Sequence, residues 1–357
     1  GDGTVPEGDY VEISNIKIHV IDFSAKGVEL LTPEVEFEPT YFGPQRYKTA
    51  TVTLRNTGSE NLTVESISAD APFYGIDTKD VASFNKNIQV TLWFYPSESG
   101  DFSGDVILNT SAGVVSVKCH GVAKNAADDG YVYYGDFEDD AYGWGTVDRD
   151  HDGETWNLGS NLWGDRPEYC HSGSQCLTSI SYSNDLGAVT PDNWAMSPII
   201  TIPADGAKLT YYVAAFHPDK WEEHYSMYVT PCDGDNFSVE NVVDTTPVFS
   251  ETLAEENGAK DGWSLRTFDL IEFAGKDVVI SFRHHDCTGQ YILRLDDVNV
   301  MTNSAYNAIS TVKANVPGNT AQYFNLGGQK TNSLSHGINI VRTQDENGNV
   351  VVRKVLR

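Results

Sequence analysis

Residues 49–67 read TATVTLRNTGSENLTVESI, and their spacing settles the class of fold. Ala50, Val52 and Leu54 fall on one side of an extended chain and the Thr residues on the other. That period of two makes a strand with one buried face. Asn56-Thr57-Gly58 turns the chain, and Leu62 and Val64 begin the next strand. Further out, Ile88, Val90, Leu92 and Phe94 alternate until Pro96 stops them. Gly100-Asp101-Phe102-Ser103-Gly104 turns into Val106 and Leu108, and Val115, Val117 and Cys119 supply a last strand. About seven short strands in roughly 95 residues predict an immunoglobulin-like sandwich over 27–123.

The rest of the composition agrees. At 357 residues the chain is long enough for two or three domains, and 40% hydrophobic residues suffice to fill their cores. Tyr, Phe, Trp, Val and Thr suit half-buried pleated strands, and Gly and Asp clusters punctuate them. The fold class expected is all-β throughout. Asp plus Glu number 51 against 24 for Lys plus Arg, a net charge of −27. Such a chain repels phosphate backbones and anionic headgroups, so nucleic acid is excluded as a partner. No run of about 18 apolar residues occurs, so no transmembrane helix is expected. The opening GDGTVPEGDYVE reads as a mature terminus, and Tyr10–Ile18 as a strand or leader within 1–26. Five cysteines, Cys119, Cys170, Cys176, Cys232 and Cys287, leave at least one thiol unpaired within the chain. Cys170 with Cys176 would close a short loop and Cys232 with Cys287 would join two strands; spacing decides neither.

In the first sandwich, LRNTGSENLTV, FYPSESGDFSGDVILNT and VSVKCHGVA resemble bacterial immunoglobulin-like modules related to the ASPM/SPD-2/Hydin family. The resemblance implies a spacer or protein-contact role. A polar linker, Lys124–Gly130, follows. Residues 131–302 then carry YGDFEDDAYGW, DRDHDGETW, HSGSQCLTS, TPDNWAMSPIITI, KLTYYVAAFHPDKWEEHYSMYV, WSLRTFDLIEFAGKDVVISFRHHD and YILRLDDVNV. In that order they resemble the cleaved-adhesin domains of gingipains, also grouped as choice-of-anchor modules. The resemblance implies a larger jelly-roll sandwich, similar to MAM domains, on an extracellular or outer-membrane surface. Residues 303–357, with QYFNLGGQK, GINIVRTQ and a hairpin through Glu346-Asn347-Gly348-Asn349, resemble Bacteroidetes C-terminal sorting modules, a small β-sandwich.

Carboxylates are the first candidate ligands. Asp148-Arg149-Asp150-His151-Asp152-Gly153 is D-x-D-x-D-G, a loop that delivers three carboxylates to one Ca²⁺. An EF-hand would need Glu at loop position 12, where Gly159 stands, and helical flanks, so a jelly-roll calcium loop is expected instead. In MAM-like and cleaved-adhesin domains, acids beside the terminal strands hold a structural cation. The resemblance carries that role to Glu138, Asp296 and Asp297, with Asp139 read as an exposed loop residue. His284 and His285 are adjacent, and neighbours on a strand face opposite ways, so they cannot chelate one ion together. Trp163, Tyr169 and Trp221 sit in polar contexts where aromatic faces suit sugar rings or a protein interface. No G-x-S-x-G, Walker or H-E-x-x-H motif is present. The expectation is therefore a monomeric, non-enzymatic surface adhesin binding a host or matrix protein or a glycan. A carbohydrate-binding or substrate-targeting accessory of a secreted protease or glycan-degrading system is the alternative.

Overall fold

A computed structural model of the chain describes residues 26–75, 83–232, 237–258, 262–307, 322–325, 330–331, 338–344 and 350–356. The expected N-terminal strand or leader lies outside them up to residue 25, as do Glu346–Asn349. The described residues are nearly all β, and helix is confined to single short turns. Two compact units emerge. One reaches to Thr40 and resumes over Tyr47–Ala123, and the other comprises Tyr41–Arg46 with the chain from Lys124 onward.

Alternation builds the first unit as its sequence predicts. Val52, Leu54, Val90, Leu92 and Phe94 are buried while Thr49, Thr51, Arg55, Asn87 and Gln89 face out. One sheet runs Val28–Leu30, Lys48–Asn56, Asn87–Phe94, Phe73–Gly75. The other runs Glu34–Glu36, Gly113–Lys124, Gly100–Thr110, Val64–Ala69. Glu34–Glu36 pairs in parallel with its neighbour, and this puts Glu36 opposite His120. His120 lies between two carboxylates, 2.6 Å from Glu36 and 2.7 Å from Asp101.

The second unit contains a larger sandwich of two antiparallel sheets. Its first sheet is ordered Asn157–Leu158, Leu177–Ile180, Ile292–Thr302, Ala207–Ala215, Ser264–Asp269. Tyr131–Gly135 also pairs with Ile292–Thr302, so the first and last strands of the stretch are neighbours. The second sheet is ordered Gly145–Asp148, Asn193–Met196, Asp277–His284, His224–Pro231, Phe249–Thr252. Leu209, Tyr211, Val213, Leu293 and Leu295 from one sheet meet Ala195, Met227, Ile280 and Phe282 from the other in a single core. Truncating Leu209, Leu293 or Ile280 to Ala costs about 2–5 kcal/mol, the transfer term plus the cavity. Trp194, Tyr228, Val239 and Val242 form a second apolar cluster on the far side of the second sheet, which explains why Asp277–His284 is buried on both faces.

The expected polar linker is an ordered turn. Ala126–Asp129 is 3₁₀-helical, the Asn125 side chain accepts from the Ala127 N–H, and Gly130 closes it at φ 85°. A Cβ at Gly130 would run into Ala305. In the C-terminal segment four strands form one antiparallel sheet, ordered Lys330–Thr331, Gln322–Asn325, Ile338–Gln344, Val350–Leu356. Gln344 pairs with Val350 across the expected hairpin.

Candidate functional site

A β-bulge positions the first group of acids. Along Ile292–Thr302, Leu293 and Leu295 face the core, which sends Arg294 and Asp296 to the outer face. Pairing with Ala207–Ala215 then slips between Thr210 and Tyr212, and Asp297 takes φ 50°. The bulge turns two adjacent carboxylates toward one loop. Asp296 Oδ2 accepts from the N–H groups of His171 at 2.8 Å and Ser172 at 3.1 Å. Asp297 takes the His171 ring at 2.5 Å and the Ser172 hydroxyl at 2.9 Å. From the other side, Glu138 accepts from the Ser174 N–H, the Ser174 hydroxyl and the Gln175 N–H at 2.6–2.8 Å. Gly173, at φ 56°, leaves room for that carboxylate, which an added Cβ would overlap. Burial raises the Glu138 pKa, and burial with the neighbouring Asp297 raises that of Asp296.

Glu138, Asp296 and Asp297 are not among the described groups whose ligand atoms lie within 4.8 Å of one another. They grip loop 171–175 from two sides by direct hydrogen bonds. Asp139 is also not an exposed loop residue: it lies 3.1 Å from the buried Arg46 and accepts from the Tyr142 N–H. Asp140 is the exposed neighbour.

Asp148, Asp150 and Asp152 do converge, with one oxygen from each within 4.8 Å of the others. Asp148 closes a strand, and its oxygens accept from the N–H groups of His151 and Gly153, both at positive φ. Asp150 accepts from the Asp192 N–H and Asp152 from that of Glu154. The second oxygen of Asp152 is buried with no hydrogen-bond partner among the described residues. Burial and the neighbouring carboxylates raise the Asp150 pKa. A hard-oxygen donor set with an unsatisfied buried carboxylate oxygen fits Ca²⁺. The loop follows a strand and precedes the short turn Gly159–Trp163, so it is no EF-hand.

The predicted aromatics separate. Trp163 stacks on Phe216 at 5.4 Å, and Tyr169 meets both edge-on at 5.5 and 4.9 Å. The Trp163 indole N–H is buried without an acceptor among the described residues. Trp221 packs against the main core and takes no part in this cluster. Arg294, 1% exposed, sits beneath the cluster: its guanidinium donates to the Tyr169 and Ala215 carbonyls and lies over the rings of Phe216 and Trp263. Sequence reasoning missed Phe216, Trp263 and Arg294. An arginine alternating with Leu293 and Leu295 was the available signal.

His284 and His285 face opposite ways, as alternation requires. His284 meets Glu223, Ser179 and Cys287, whereas His285 meets Ser226 and Asp286. Cys119, Cys170, Cys176 and Cys287 are buried thiols, and Cys170 and Cys176 lie against each other.

Comparison with known proteins bears on the same stretch. A family model described as Cleaved Adhesin Domain matches residues 131–300. Hemagglutinin A of Porphyromonas gingivalis strain W83 is 32% identical over 176 residues, covering 46% of this chain and 8% of that protein. Lys-gingipain W83 of the same species is 31% identical over 183 residues, 48% of this chain and 10% of that protein. The chain therefore spans a tenth or less of the length of these two relatives. The crystal structure of the K1 cleaved adhesin domain of Lys-gingipain from P. gingivalis W83 is 30% identical and covers 45% of this chain and 92% of that domain, with a TM-score of 0.36.

Proposed function

The chain belongs to the cleaved adhesin family through residues 131–300, and from that premise we propose that it is a surface recognition protein rather than an enzyme. The jelly roll is the reading module, and a host or matrix protein or a glycan is its target. One observation carries this reading: Trp163, Tyr169 and Phe216 form a half-buried aromatic cluster fixed from below by Arg294. Rigid aromatic faces bind sugar rings or anchor a protein interface at low entropic cost. Similarity to Lys-gingipain favours a second reading, a targeting accessory of a secreted protease.

Calcium is the cofactor proposed, held by Asp148, Asp150 and Asp152. The unsatisfied Asp152 oxygen supports it. Its role is to stiffen the loop, since three ligands supplied within five residues order their own turn. Glu138, Asp296 and Asp297 contribute separately by fastening loop 171–175, which begins two residues after Tyr169. The net charge of −27 keeps nucleic acid off the surface.

The test pairs a glycan array with a panel of matrix and serum proteins, using the full chain and its Trp163→Ala and Tyr169→Ala variants. Binding to one panel, weakened about tenfold or more in both variants, is expected. Binding to neither panel, or full binding by both variants, refutes the reading.

A further inference from the structure

We propose that Glu223, His284 and Cys287 form a buried site for one zinc ion or a similar divalent transition metal. The three residues come from one corner of the second sheet. Glu223 precedes the strand His224–Pro231, His284 ends the strand Asp277–His284, and Cys287 lies in the turn just beyond. Tyr225 pairs with His284 across the two strands, which fixes the corner by backbone register.

Their ligand atoms make a small triangle. His284 Nε2 lies 3.0 Å from Glu223 Oε2 and 3.2 Å from Cys287 Sγ, and Cys287 Sγ lies 3.4 Å from Glu223 Oε2. Tetrahedral zinc with bonds of about 2.0–2.3 Å spaces such ligands about 3.3–3.6 Å apart. A few tenths of an ångström of outward movement admits the ion. The surroundings orient each ligand as second-shell groups do at metal sites. Ser179 Oγ stands 2.8 Å from His284 Nδ1. Glu223 Oε1 accepts from the Ser181 hydroxyl at 3.1 Å and the Tyr291 N–H at 2.7 Å, leaving Oε2 for the metal. Glu223, His284, Ser179 and Ser181 are all 0% exposed.

Charge and ligand type select the ion. A divalent cation, a thiolate, a carboxylate and a neutral imidazole sum to zero, which suits a site where Glu223 and His284 are fully buried, while Cys287, 9% exposed, leaves the fourth tetrahedral position to a water. On binding, the thiol proton leaves to solvent, and the imidazole keeps its one proton on Nδ1, where Ser179 Oγ accepts it. Mixed sulfur, nitrogen and oxygen donors favour zinc-class metals over Ca²⁺ or Mg²⁺. A nucleophilic Cys-His-Glu relay does not fit. The carboxylate and the sulfur share the same imidazole nitrogen, whereas a relay sets the carboxylate on the opposite one. The role is structural, tying two strand ends to the following turn.

The full chain, unfolded in chelator and reductant and refolded with one equivalent of Co²⁺, tests this. A thiolate-to-cobalt charge-transfer band with tetrahedral visible bands is expected, retained in Cys119→Ser and lost in Cys287→Ser. Ser179→Ala should weaken Co²⁺ affinity about 10–100-fold, the usual cost of losing a second-shell partner. X-ray absorption on zinc-loaded wild-type chain, which requires no variant to fold, should show one sulfur neighbour. Refolded wild-type chain with native circular dichroism and no sulfur–metal signal by either method overturns the proposal, as does a Cys287→Ser chain that keeps the band.

Discussion

Replacing Glu138 with Ala tests how loop 171–175 is held. The carboxylate accepts three hydrogen bonds, from the Ser174 N–H and hydroxyl and the Gln175 N–H. Each such bond contributes about 1 kcal/mol net, and somewhat more with a charged acceptor. Against the sum stands the desolvation of the carboxylate, visible in its raised pKa. The half-buried loop also lets water reach part of what is left behind. The net loss comes to about 2–3 kcal/mol. For a domain of this size that lowers the melting temperature by about 4–12 °C. Glu138→Gln keeps the shape and one acceptor oxygen and should lose about 1 kcal/mol. Calorimetry of the full chain, with Ca²⁺ and again with excess chelator, reads both variants. Because the bonds are direct, the Glu138→Ala deficit relative to wild type should be the same with and without chelator. A deficit below about 0.5 kcal/mol, or one that vanishes in chelator, would refute direct tethering and return Glu138 to cation binding.

Asp297→Ala should destabilise by about 2 kcal/mol more than Asp140→Ala in the same calorimetric assay. Both positions have positive φ, so backbone strain cancels and only the Asp297 bonds to His171 and Ser172 differ; equal losses would refute this. Saturating Ca²⁺ at about 100 times its Kd should stabilise wild type by about 2.7 kcal/mol and leave Asp152→Ala unmoved. Equal melting curves for metal-free and Ca²⁺-loaded wild type would remove calcium from the account. His120 is bonded to Glu36 and Asp101, which raise its pKa. Its stabilisation of the first unit is therefore complete below the unfolded histidine value, about 6.5, and fades as pH rises through the folded value. Thermal unfolding of His120→Gln should approach wild type at alkaline pH and fall short of it at mildly acidic pH; a gap that widens toward alkaline pH contradicts the linkage.

Periodicity and turn chemistry were enough for the strands of the first unit. Val52, Leu54, Val90, Leu92 and Phe94 are buried where alternation puts them, because a pleated strand leaves a side chain only two directions. The same rule separated His284 from His285. The convergence of Asp148, Asp150 and Asp152 was equally legible, since all three carboxylates lie within five residues and need no distant element to bring them together.

What failed from sequence were the relations that depend on register. Asp296 and Asp297 were expected together at one site, but the bulge at Asp297 that turns both to one loop has no signature in a period of two. Asp139 looked solvated because its partner, Arg46, is 93 residues earlier and no local pattern announces the pair. Trp163 and Trp221 looked alike in their polar contexts, and only packing set one beside Phe216 and the other against the core.

By itself, then, the sequence determined an all-β chain, the alternation of inward and outward residues, and the family of its larger domain. Only the tertiary structure decided which side chains meet across 60 residues or more, as Glu223 and His284 do. The reason is geometric. A period of two fixes the face of each side chain, but strand order and register fix its neighbours, and those follow from how two whole sheets bury their apolar faces together.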